Sequence, residues 1–420
     1  MRFSKLADWL HWQEQLHPEE IELGLERVSQ VFKQLHSENP AFQVITVAGT
    51  NGKGSSVAML EAILLAAGYR VGAYTSPHLL QYNERIRLNG ELVNDSLLCE
   101  SFNRIDQGRK DTSLTYFEYG TLAALDIFFR QPLDVVLLEV GLGGRLDAVN
   151  IIDANIALIT AIDIDHEKWL GSDRETIGFE KAGIMRSGCP VITSDPDVPQ
   201  SVIKQAKNIG AKLYCLGTDF YTRNEMNGWV YQDATGVTRN ALPLPALRGE
   251  HQLNNAAGVL KVLQCLKDSL PVTVQDIRDG LLSVALPGRF QVMAGEVTTI
   301  LDVAHNPQST CILAQLLKEQ QCTGKTLAVV GMLEDKSIHN ALKPLIHCVD
   351  AWFMGSLMKI PRGAEAEKLR AAMSDIEIDV GTYADVTQAY HAAQQQAIPG
   401  DRIVVFGSFY TVAEVMVQDV

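Results

Sequence analysis

Short runs of apolar, often β-branched residues alternate along the chain with longer segments whose pattern is typical of helices. In the first part of the chain, strands are predicted at 44–48, 70–74, 134–139, 156–162 and 190–193. Short apolar runs bounded by turn residues are typical of strands buried on both faces. Helical segments between such strands indicate a mainly parallel sheet covered by helices. The pattern therefore predicts an α/β fold.

A second series of strands follows 286–290, a segment in which proline and glycine interrupt the pattern. Strands of this series are predicted at 298–303, 326–330, 351–354 and 402–406. A chain of 420 residues is also long for a single core. We therefore predict an N-terminal domain over 1–287 and a smaller C-terminal domain over 288–420. Residues 214–245, rich in glycine, asparagine, threonine and aromatic residues, are predicted to form a small antiparallel addition.

Composition argues against a nucleic-acid-binding protein, a membrane protein and a disulfide-bonded protein. The formal charge of −14 argues against nucleic acid as a partner, because binding a phosphate backbone needs clustered lysine and arginine. No apolar run approaches the roughly 20 residues that span a bilayer, so no membrane partner is expected. The 7 cysteines are scattered and form no CxxC pair. Reduced thiols in a cytoplasmic protein are the simplest interpretation.

The segment Ala48–Ser56 (AGTNGKGSS) lies between a predicted strand and a helix predicted over 55–67. Its glycines allow backbone N–H groups to face an anion, and its lysine adds a mobile cation. The usual phosphate-loop pattern is altered, since Gly54 separates Lys53 from the serines. An ordinary glycine-rich turn is the alternative. We predict a phosphate site formed by Asn51, Gly52, Lys53, Gly54 and Ser55, and thus a P-loop-type N-terminal domain.

Polar residues also follow several predicted strands, namely Ser76, Glu139 and His166. The carboxyl ends of strands border the binding crevice of an open α/β sheet. A hydroxyl, a carboxylate and an imidazole can hold Mg²⁺, which keeps several water or phosphate ligands. Each residue alone is more often a helix cap, an ion-pair partner or a loop histidine. Lys181, judged by residue type alone, is a surface lysine on a helix.

Seven motifs occur in an order that resembles the folylpolyglutamate synthase family, and within it the bacterial bifunctional dihydrofolate synthases/folylpolyglutamate synthases. That family belongs with the Mur-type ligases. The matching segments are 49–55, 75–79, 139–148, 180–184, 286–290, 302–307 and 407–409. The likeness runs from about residue 20 to about residue 415, and it implies a Rossmann-like α/β fold for the C-terminal domain.

The resemblance implies an ATP-dependent ligase. A carboxylate would be activated as an acyl phosphate and then joined to the amine of L-glutamate, with dihydropteroate and tetrahydrofolate as the carboxylate substrates. ATP and two Mg²⁺ ions are the implied cofactors, and a monovalent cation is a further candidate. Ser76 and Glu139 would hold one Mg²⁺ and His166 the second, while Lys181 matches a lysine that the family carries as a carbamate. A monomer is implied.

Other site residues carry over from the same likeness. Asn255, Arg289 and Asp302 would contact ATP, and His305, also a candidate catalytic residue, would lie near the glutamate with Arg85 and Ser408. On residue type alone, these are a polar helix start, a linker arginine, a helix-capping aspartate and ordinary loop or surface residues. Segments implied to bind dihydropteroate are Leu23, Gly24, Leu25 and Glu26; Thr115, Tyr116, Phe117 and Glu118; and Leu146, Asp147 and Ala148. Phe117 could stack on a pterin ring, and Asp147 could accept its N–H groups.

Three alternatives remain open at this stage. The chain could be a folylpolyglutamate synthase alone, a Mur-type ligase with another carboxylate substrate, or a nucleotide switch that binds ATP without ligation. Val149 and Ser337 depart from the residues that many relatives have at these places, threonine and aspartate. Neither departure removes a residue that the chemistry requires.

Overall fold

A computed structural model describes residues 1–226, 228–374 and 379–418 of the chain. Their contacts divide the protein into two compact units. Unit 1 comprises 1–163, 168–246 and 252–285, and unit 2 comprises 164–167, 247–251 and 286–420. The sequence placed a boundary between residues 287 and 288. It did not single out the two short segments that group with unit 2.

Unit 1 is built on a large sheet with helices and a small separate sheet. Its strands are β1 (Gln43–Ala48), β2 (Val71–Tyr74), β3 (Ile86–Leu88), β4 (Glu91–Leu92), β5 (Val135–Glu139), β6 (Ile156–Ile159), β7 (Pro190–Thr193), β8 (Lys212–Cys215), β9 (Phe220–Glu225), β10 (Gly228–Asp233) and β11 (Thr238–Leu242). Its helices are α1 (Leu6–Glu14), α2 (Glu26–Leu35), α3 (Lys53–Ala66), α4 (Asp95–Arg109), α5 (Tyr116–Phe129), α6 (Glu167–Leu170), α7 (Arg174–Ala182), α8 (Gln200–Ile209), α9 (His251–Cys265) and α10 (Val274–Ser283). Short 3₁₀ helices cover Tyr82–Arg85 and Ala148–Ile151.

The large sheet has the strand order β4-β3-β2-β5-β1-β6-β7-β8. Strands β2, β5, β1, β6, β7 and β8 pair in parallel, and β3 and β4 add an antiparallel edge. β1 lies between β5 and β6. The chain therefore runs from β1 to β2 on one side of it and later crosses from β5 to β6 on the other side. The carboxyl end of β1 is therefore a topological switch point, where ligands of open α/β sheets bind.

The central strands are buried along their length because they consist of apolar residues that face helices on both sides. Helix α3 directly follows the glycine-rich loop and ends where Gly68 takes a left-handed φ of 84°. Helix α5 begins with a capping box in which Thr115 and Glu118 exchange side-chain and backbone hydrogen bonds. These signals fix the ends of the helices that border the candidate site.

The predicted antiparallel addition is present as the sheet β11-β10-β9. Within unit 1, a buried ion pair between Lys261 of α9 and Asp233 of β10 joins this sheet to the helix. The Lys261 ammonium also lies 4.3 Å from the centre of the Tyr214 ring, which adds a cation–π contact.

Unit 2 contains a second, mainly parallel sheet. Its strands are β12 (Gln291–Met293), β13 (Thr298–Leu301), β14 (Thr326–Val330), β15 (Ala351–Gly355), β16 (Asp379–Tyr383) and β17 (Arg402–Phe406), in the order β12-β13-β17-β14-β15-β16. Its helices are α11 (Pro307–Glu319), α12 (Ile338–Leu342), α13 (Ala366–Ala371), α14 (Val386–Gln396) and α15 (Phe409–Met416), with a 3₁₀ helix at Lys343–Cys348. The parallel order β13-β17-β14-β15-β16 with helical crossovers agrees with the predicted α/β class.

The strands predicted at 190–193, 326–330 and 402–406 match the observed ones, and most others differ by one or two residues. The run 156–162 is shorter than predicted, because β6 ends at Ile159 and the next residues bind the glycine-rich loop. The helix predicted from residue 55 begins at Lys53. No helix in the described ranges is both long and apolar enough to cross a bilayer.

Candidate active site

The loop between β1 and α3 is held by the residues that follow β6. The Thr50 N–H donates to the Ala161 carbonyl at 2.7 Å, and the Thr160 hydroxyl donates to the Asn51 carbonyl at 2.8 Å. The Thr50 hydroxyl donates to the Asp163 carbonyl at 2.9 Å. A Cβ on Gly49 would lie 1.8 Å from the Thr160 hydroxyl oxygen, so this approach requires glycine. The loop is thus fixed by neighbouring backbone and has the form expected of a preformed anion site.

Lys53 is the first residue of α3, and its ammonium donates to the carbonyls of Gly49 at 3.1 Å and Thr50 at 3.2 Å. The cation therefore lies over the loop rather than away from it. Ser55, one turn into the helix, is 4% exposed and accepts a hydrogen bond from the Gln252 amide at 3.3 Å. A region of positive electrostatic potential is expected here, formed by the N-terminus of α3, the loop N–H groups and Lys53.

Asn255 lies against the same loop. A Cβ on Gly52 would be 2.6 Å from the Asn255 side-chain oxygen, and Gly52 has a left-handed φ of 93°. The Asn255 amide nitrogen donates to Gln252 at 3.0 Å, which orients its oxygen. The structure therefore places Asn255, which the sequence predicts to contact ATP, next to Gly52 of the loop.

Ser76 and Glu139 lie side by side at the carboxyl ends of β2 and β5. The Ser76 N–H donates to a Glu139 carboxylate oxygen at 3.3 Å, and Glu139 is 5% exposed. A buried carboxylate needs a positive partner or hydrogen bonds. This pair fits a magnesium ion that takes few protein ligands. Within the described ranges, no group of three or more histidine, cysteine, aspartate or glutamate side chains is placed to hold a metal.

Lys181 is buried, with 3% exposure, so the simple interpretation as a surface lysine is wrong. It lies in the last turn of α7, where the loop after β5 packs closely on the helix end. A Cβ on Gly144 would be 3.0 Å from the Lys181 carbonyl oxygen, and the Arg145 N–H donates to the Glu180 carbonyl at 2.8 Å. Because a buried charge needs compensation, this environment fits a lysine with a charged partner or one whose charge is changed by modification.

Of the three segments implied to bind dihydropteroate, the first and the third are linked through Leu146, and the third contains a buried aspartate. The Gly24 N–H donates to the Leu146 carbonyl at 3.3 Å. Asp147 is 2% exposed and accepts backbone N–H bonds from Leu142 at 2.7 Å and Val149 at 3.0 Å. Burial raises the pKa of Asp147 to about 6, although these hydrogen bonds act in the opposite direction. Its carboxylate oxygens keep further acceptor capacity.

Phe117, in the second segment, is partly buried, and its ring centre lies 6.1 Å from that of Tyr74. A Cβ on Gly141 would be 2.5 Å from this ring, so the glycine lies directly on Phe117. An aromatic surface beside Asp147 matches the needs of a flat heterocycle with N–H donors.

Arg85 lies among aromatic rings near Ser76. Its guanidinium carbon is 5.5 Å from the Tyr82 ring centre and 5.6 Å from that of Tyr116. Its Nε donates to Nδ1 of His78 at 2.8 Å. Burial and the neighbouring guanidinium lower the pKa of His78 to about 4, so this imidazole is neutral at physiological pH. The Nε of Arg85 is thus held by His78, and a guanidinium is the side-chain group best suited to binding a carboxylate through two N–H donors.

Unit 2 places Arg289 and Asp302 close together. Asp302 accepts backbone N–H bonds from Phe290 at 2.8 Å and Ala304 at 2.7 Å, and burial raises its pKa. The Arg289 guanidinium lies 4.9 Å from the centre of the Phe409 ring. The alternative of a helix-capping role for Asp302 is wrong, since Asn306 caps α11.

His305 and His166 belong to unit 2, the latter through segment 164–167. Nδ1 of His305 donates to the Val303 carbonyl at 2.8 Å, which leaves Nε2 3.4 Å from Asp165. Burial would raise the pKa of Asp165, but His305 and Lys336, whose ammonium is 2.7 Å away, hold it well below its usual value. His166 has a left-handed φ of 54°, an uncommon conformation that is enriched for histidine.

Ser408 is 4% exposed, and its hydroxyl accepts the Thr411 N–H at 3.0 Å as the N-cap of α15. Because the hydroxyl is engaged in the cap, the geometry favours a structural role over direct contact with glutamate.

Sequence reasoning missed Thr160 and Gln252, which orient the phosphate loop and its serine. A polar residue that directly follows an apolar strand was the available signal for Thr160. Gln252 lies three residues before Asn255 on α9, a spacing that puts both on one helix face.

Two protein families match this chain. The Mur ligase middle domain matches residues 47–263, and the Mur ligase, glutamate ligase domain matches residues 288–409. The dihydrofolate synthase/folylpolyglutamate synthase of Escherichia coli is 46% identical over 413 residues, 98% of this chain and 95% of that protein. The chain belongs to the dihydrofolate synthase/folylpolyglutamate synthase family. It is accordingly an ATP-dependent ligase of the Mur type.

Solved structures agree with this membership. Escherichia coli FolC in complex with DHPP and ADP has 47% sequence identity and a TM-score of 0.93, with 99% of this chain and 98% of that chain covered. A bifunctional folylpolyglutamate synthase/dihydrofolate synthase with Mn, AMPPNP and L-glutamate bound has a TM-score of 0.91 at 47% identity, with the same coverage. The folylpolyglutamate synthase of Lacticaseibacillus casei is 30% identical over 88% of each chain.

We predict that Gly52→Ala displaces Asn255 and weakens nucleotide binding by about tenfold or more, because the new methyl group collides with the amide. Isothermal titration with ADP would measure this. Gly68→Ala is the matched control, since Gly68 has a similar φ of 84° but nothing within 4 Å of the new methyl group. Equal ADP affinity in the two variants would show that the Gly52–Asn255 contact does not shape the site.

Proposed function

We propose that this ligase adds L-glutamate to dihydropteroate, forming dihydrofolate, and to tetrahydrofolate, forming folylpolyglutamate. The 46% identical Escherichia coli relative supports the proposal, since its name includes both dihydrofolate synthase and folylpolyglutamate synthase. The observation that carries it is the pairing of a hydrogen-bonded glycine-rich loop with a partly buried aromatic ring, Phe117, and a buried carboxylate, Asp147, in unit 1. The first part suits ATP and the second suits a pterin.

In the proposed reaction, a carboxylate oxygen of the pterin-bearing substrate attacks the γ-phosphorus of ATP, and ADP leaves. The glutamate amine then attacks the acyl carbon, inorganic phosphate leaves with the former carboxylate oxygen, and a proton is released as the amide forms. The loop at Asn51–Ser55 would hold the phosphates, and Lys53 would neutralise charge that develops on the transferred group. Asn255, Arg289 and Asp302 would contact the nucleotide.

Divalent metal is part of the same proposal. Ser76 and Glu139 would hold one Mg²⁺ and His166 a second, and these ions would supply electrostatic stabilisation of phosphoryl oxygens. Lys181 would carry CO₂ as a carbamate, which turns a costly buried cation into an anion. A monovalent cation, a monomeric state and a cytoplasmic location also stay predictions.

The substrates would be bound by distinct groups of residues. Phe117 would stack on the pterin, and Asp147 would accept its N–H donors, with Leu23–Glu26 and Thr115–Glu118 around them. Arg85 would bind a carboxylate, and His305 would lie near the incoming glutamate. Ser408 would contribute only indirectly, by capping α15.

A folylpolyglutamate synthase without the first activity is the second candidate, favoured by the 30% identical Lacticaseibacillus casei relative. The test is phosphate release from Mg·ATP and L-glutamate with dihydropteroate and tetrahydrofolate offered separately, with each product identified by mass. Turnover with both supports the bifunctional proposal. Turnover with tetrahydrofolate alone leaves the second candidate, and turnover with neither contradicts both.

We predict that Lys181→Ala lowers kcat by about 100-fold or more, because the site loses the proposed anion that offsets metal charge. Labelling the enzyme with ¹³C-bicarbonate should give a carbamate carbonyl NMR signal that Lys181→Ala removes. A wild-type enzyme without this signal would contradict the carbamate, whatever the activity of the variant.

We predict that the KM for dihydropteroate rises as the pH falls through about 6, since Asp147 gains a proton there and loses its negative charge and part of its capacity to accept N–H donors. The KM for ATP should stay nearly constant over the same range. Asp147→Asn should have a raised KM at pH 7.5, by about tenfold, and should lose the rise at low pH. A variant that retains the wild-type pH profile would show that another group is responsible.

A further inference from the structure

The loop between α1 and α2, residues 15–25, contains part of the first segment assigned to the pterin. We call it the α1–α2 loop. It connects to the second and third segments at several points. One is the bond from the Gly24 N–H to the Leu146 carbonyl. The others form a continuous series of charged and polar side chains.

This series begins at Ser113 and ends at Glu118, five positions later in the sequence. Nδ1 of His17 lies 3.0 Å from the Ser113 hydroxyl, and Nε2 of His17 lies 2.7 Å from Glu22. Arg27 then pairs with Glu22 through one nitrogen and with Glu118 through another, the latter at 3.1 Å. The α1–α2 loop is therefore attached through His17 to Ser113, just before α5, and through Glu22 and Arg27 to Glu118 in the first turn of α5.

Arg27 is the central member of this series. Its guanidinium also donates to the Glu22 carbonyl at 3.2 Å, so it binds both the backbone and the side chain of the loop. A planar guanidinium can serve two carboxylates at fixed angles, whereas a lysine ammonium is a point charge on a flexible stem. A lysine in place of Arg27 should therefore keep a contact with either Glu22 or Glu118, but not with both.

Glu118 makes the coupling specific. Its side chain is 4% exposed, and one of its oxygens accepts the Thr115 N–H at 2.8 Å in the capping box of α5. Its other oxygen accepts from Arg27. Thr115 and Glu118 are members of the second pterin segment, so Arg27 connects Glu22, the residue just before the first segment, to the second segment.

Arg27 itself is anchored by the framework. It lies in the first turn of α2, whose residues Val28 and Val31 are fully or almost fully buried. Loss of the guanidinium should consequently release the loop and leave the helix in place. The loop, through Glu22, is the partly exposed member of the pair, with the Glu22 side chain 45% exposed.

We propose that Arg27 is a positioning residue for the carboxylate substrate, which acts through Glu22 and Glu118 by holding the α1–α2 loop against the start of α5. This inference rests on the proposed function, since it takes these segments as the pterin site. Arg27 sets the affinity for the pterin-bearing substrate and leaves the phosphoryl chemistry unchanged.

The test is Arg27→Met, assayed for both pterin substrates. Because the substrate must then order the loop itself, KM for dihydropteroate should rise about tenfold. The kcat should stay within about twofold and the KM for ATP should not change, since neither the phosphate loop nor the acyl chemistry is touched. Arg27→Lys should recover part of the lost affinity.

Arg104→Met is the matched control. Arg104 is 27% exposed, against 24% for Arg27, and it too pairs with a buried carboxylate of α5, Asp126. It lies outside the three segments. A merely structural role of Arg27 predicts that both variants lose thermal stability and that neither changes the KM for dihydropteroate.

Amide hydrogen exchange gives a second readout. In Arg27→Met, exchange of residues 16–25 should become faster than in wild type and in Arg104→Met, and saturating dihydropteroate should reverse the change. An unchanged KM together with unchanged exchange in this loop overturns the inference while wild-type turnover leaves the proposed function intact. A wild-type enzyme that uses neither pterin substrate overturns both.

Discussion

The glycine-rich loop after β1 keeps its shape because the residues after β6 bind it, and Asn255, another unit 1 residue of the candidate site, lies against it. Thr160 and Ala161 hold the loop backbone, and the absence of a side chain at Gly49 allows the approach. The same hydrogen bonds end β6 at Ile159 and direct the chain into the loop that carries His166. These hydrogen bonds between neighbouring strand ends thus fix both the glycine-rich loop and the start of the loop that follows β6.

The position of β1 between β5 and β6 explains why the polar residues collect at one place. Loops from strands on both sides of a switch point must diverge there, which opens a crevice at the carboxyl ends. Ser76 after β2 and Glu139 at the end of β5 meet at that edge. Because these strands are short and apolar, a polar residue at the end of each was a sufficient signal to predict that Ser76 and Glu139 lie at the same edge of the sheet.

Contacts between distant segments could not be predicted in this way. The backbone of Lys181 lies close to Gly144, 37 positions earlier in the sequence, because the folded loop after β5 packs on the end of α7. Likewise, Arg27 and Glu118 are 91 positions apart, and neither has a local pattern that indicates its partner. The high pKa of Asp147 arises from complete burial, which residue type does not reveal.

The central claim is that the glycine-rich loop binds ATP and the three pterin segments bind the carboxylate substrate, so that an acyl phosphate forms. Dihydropteroate labelled with ¹⁸O in its carboxylate would test it most directly, with the released inorganic phosphate analysed by mass. The account predicts one ¹⁸O in each phosphate at full labelling, because the former carboxylate oxygen leaves with the phosphoryl group. Phosphate without the label, formed alongside the amide product, would contradict it.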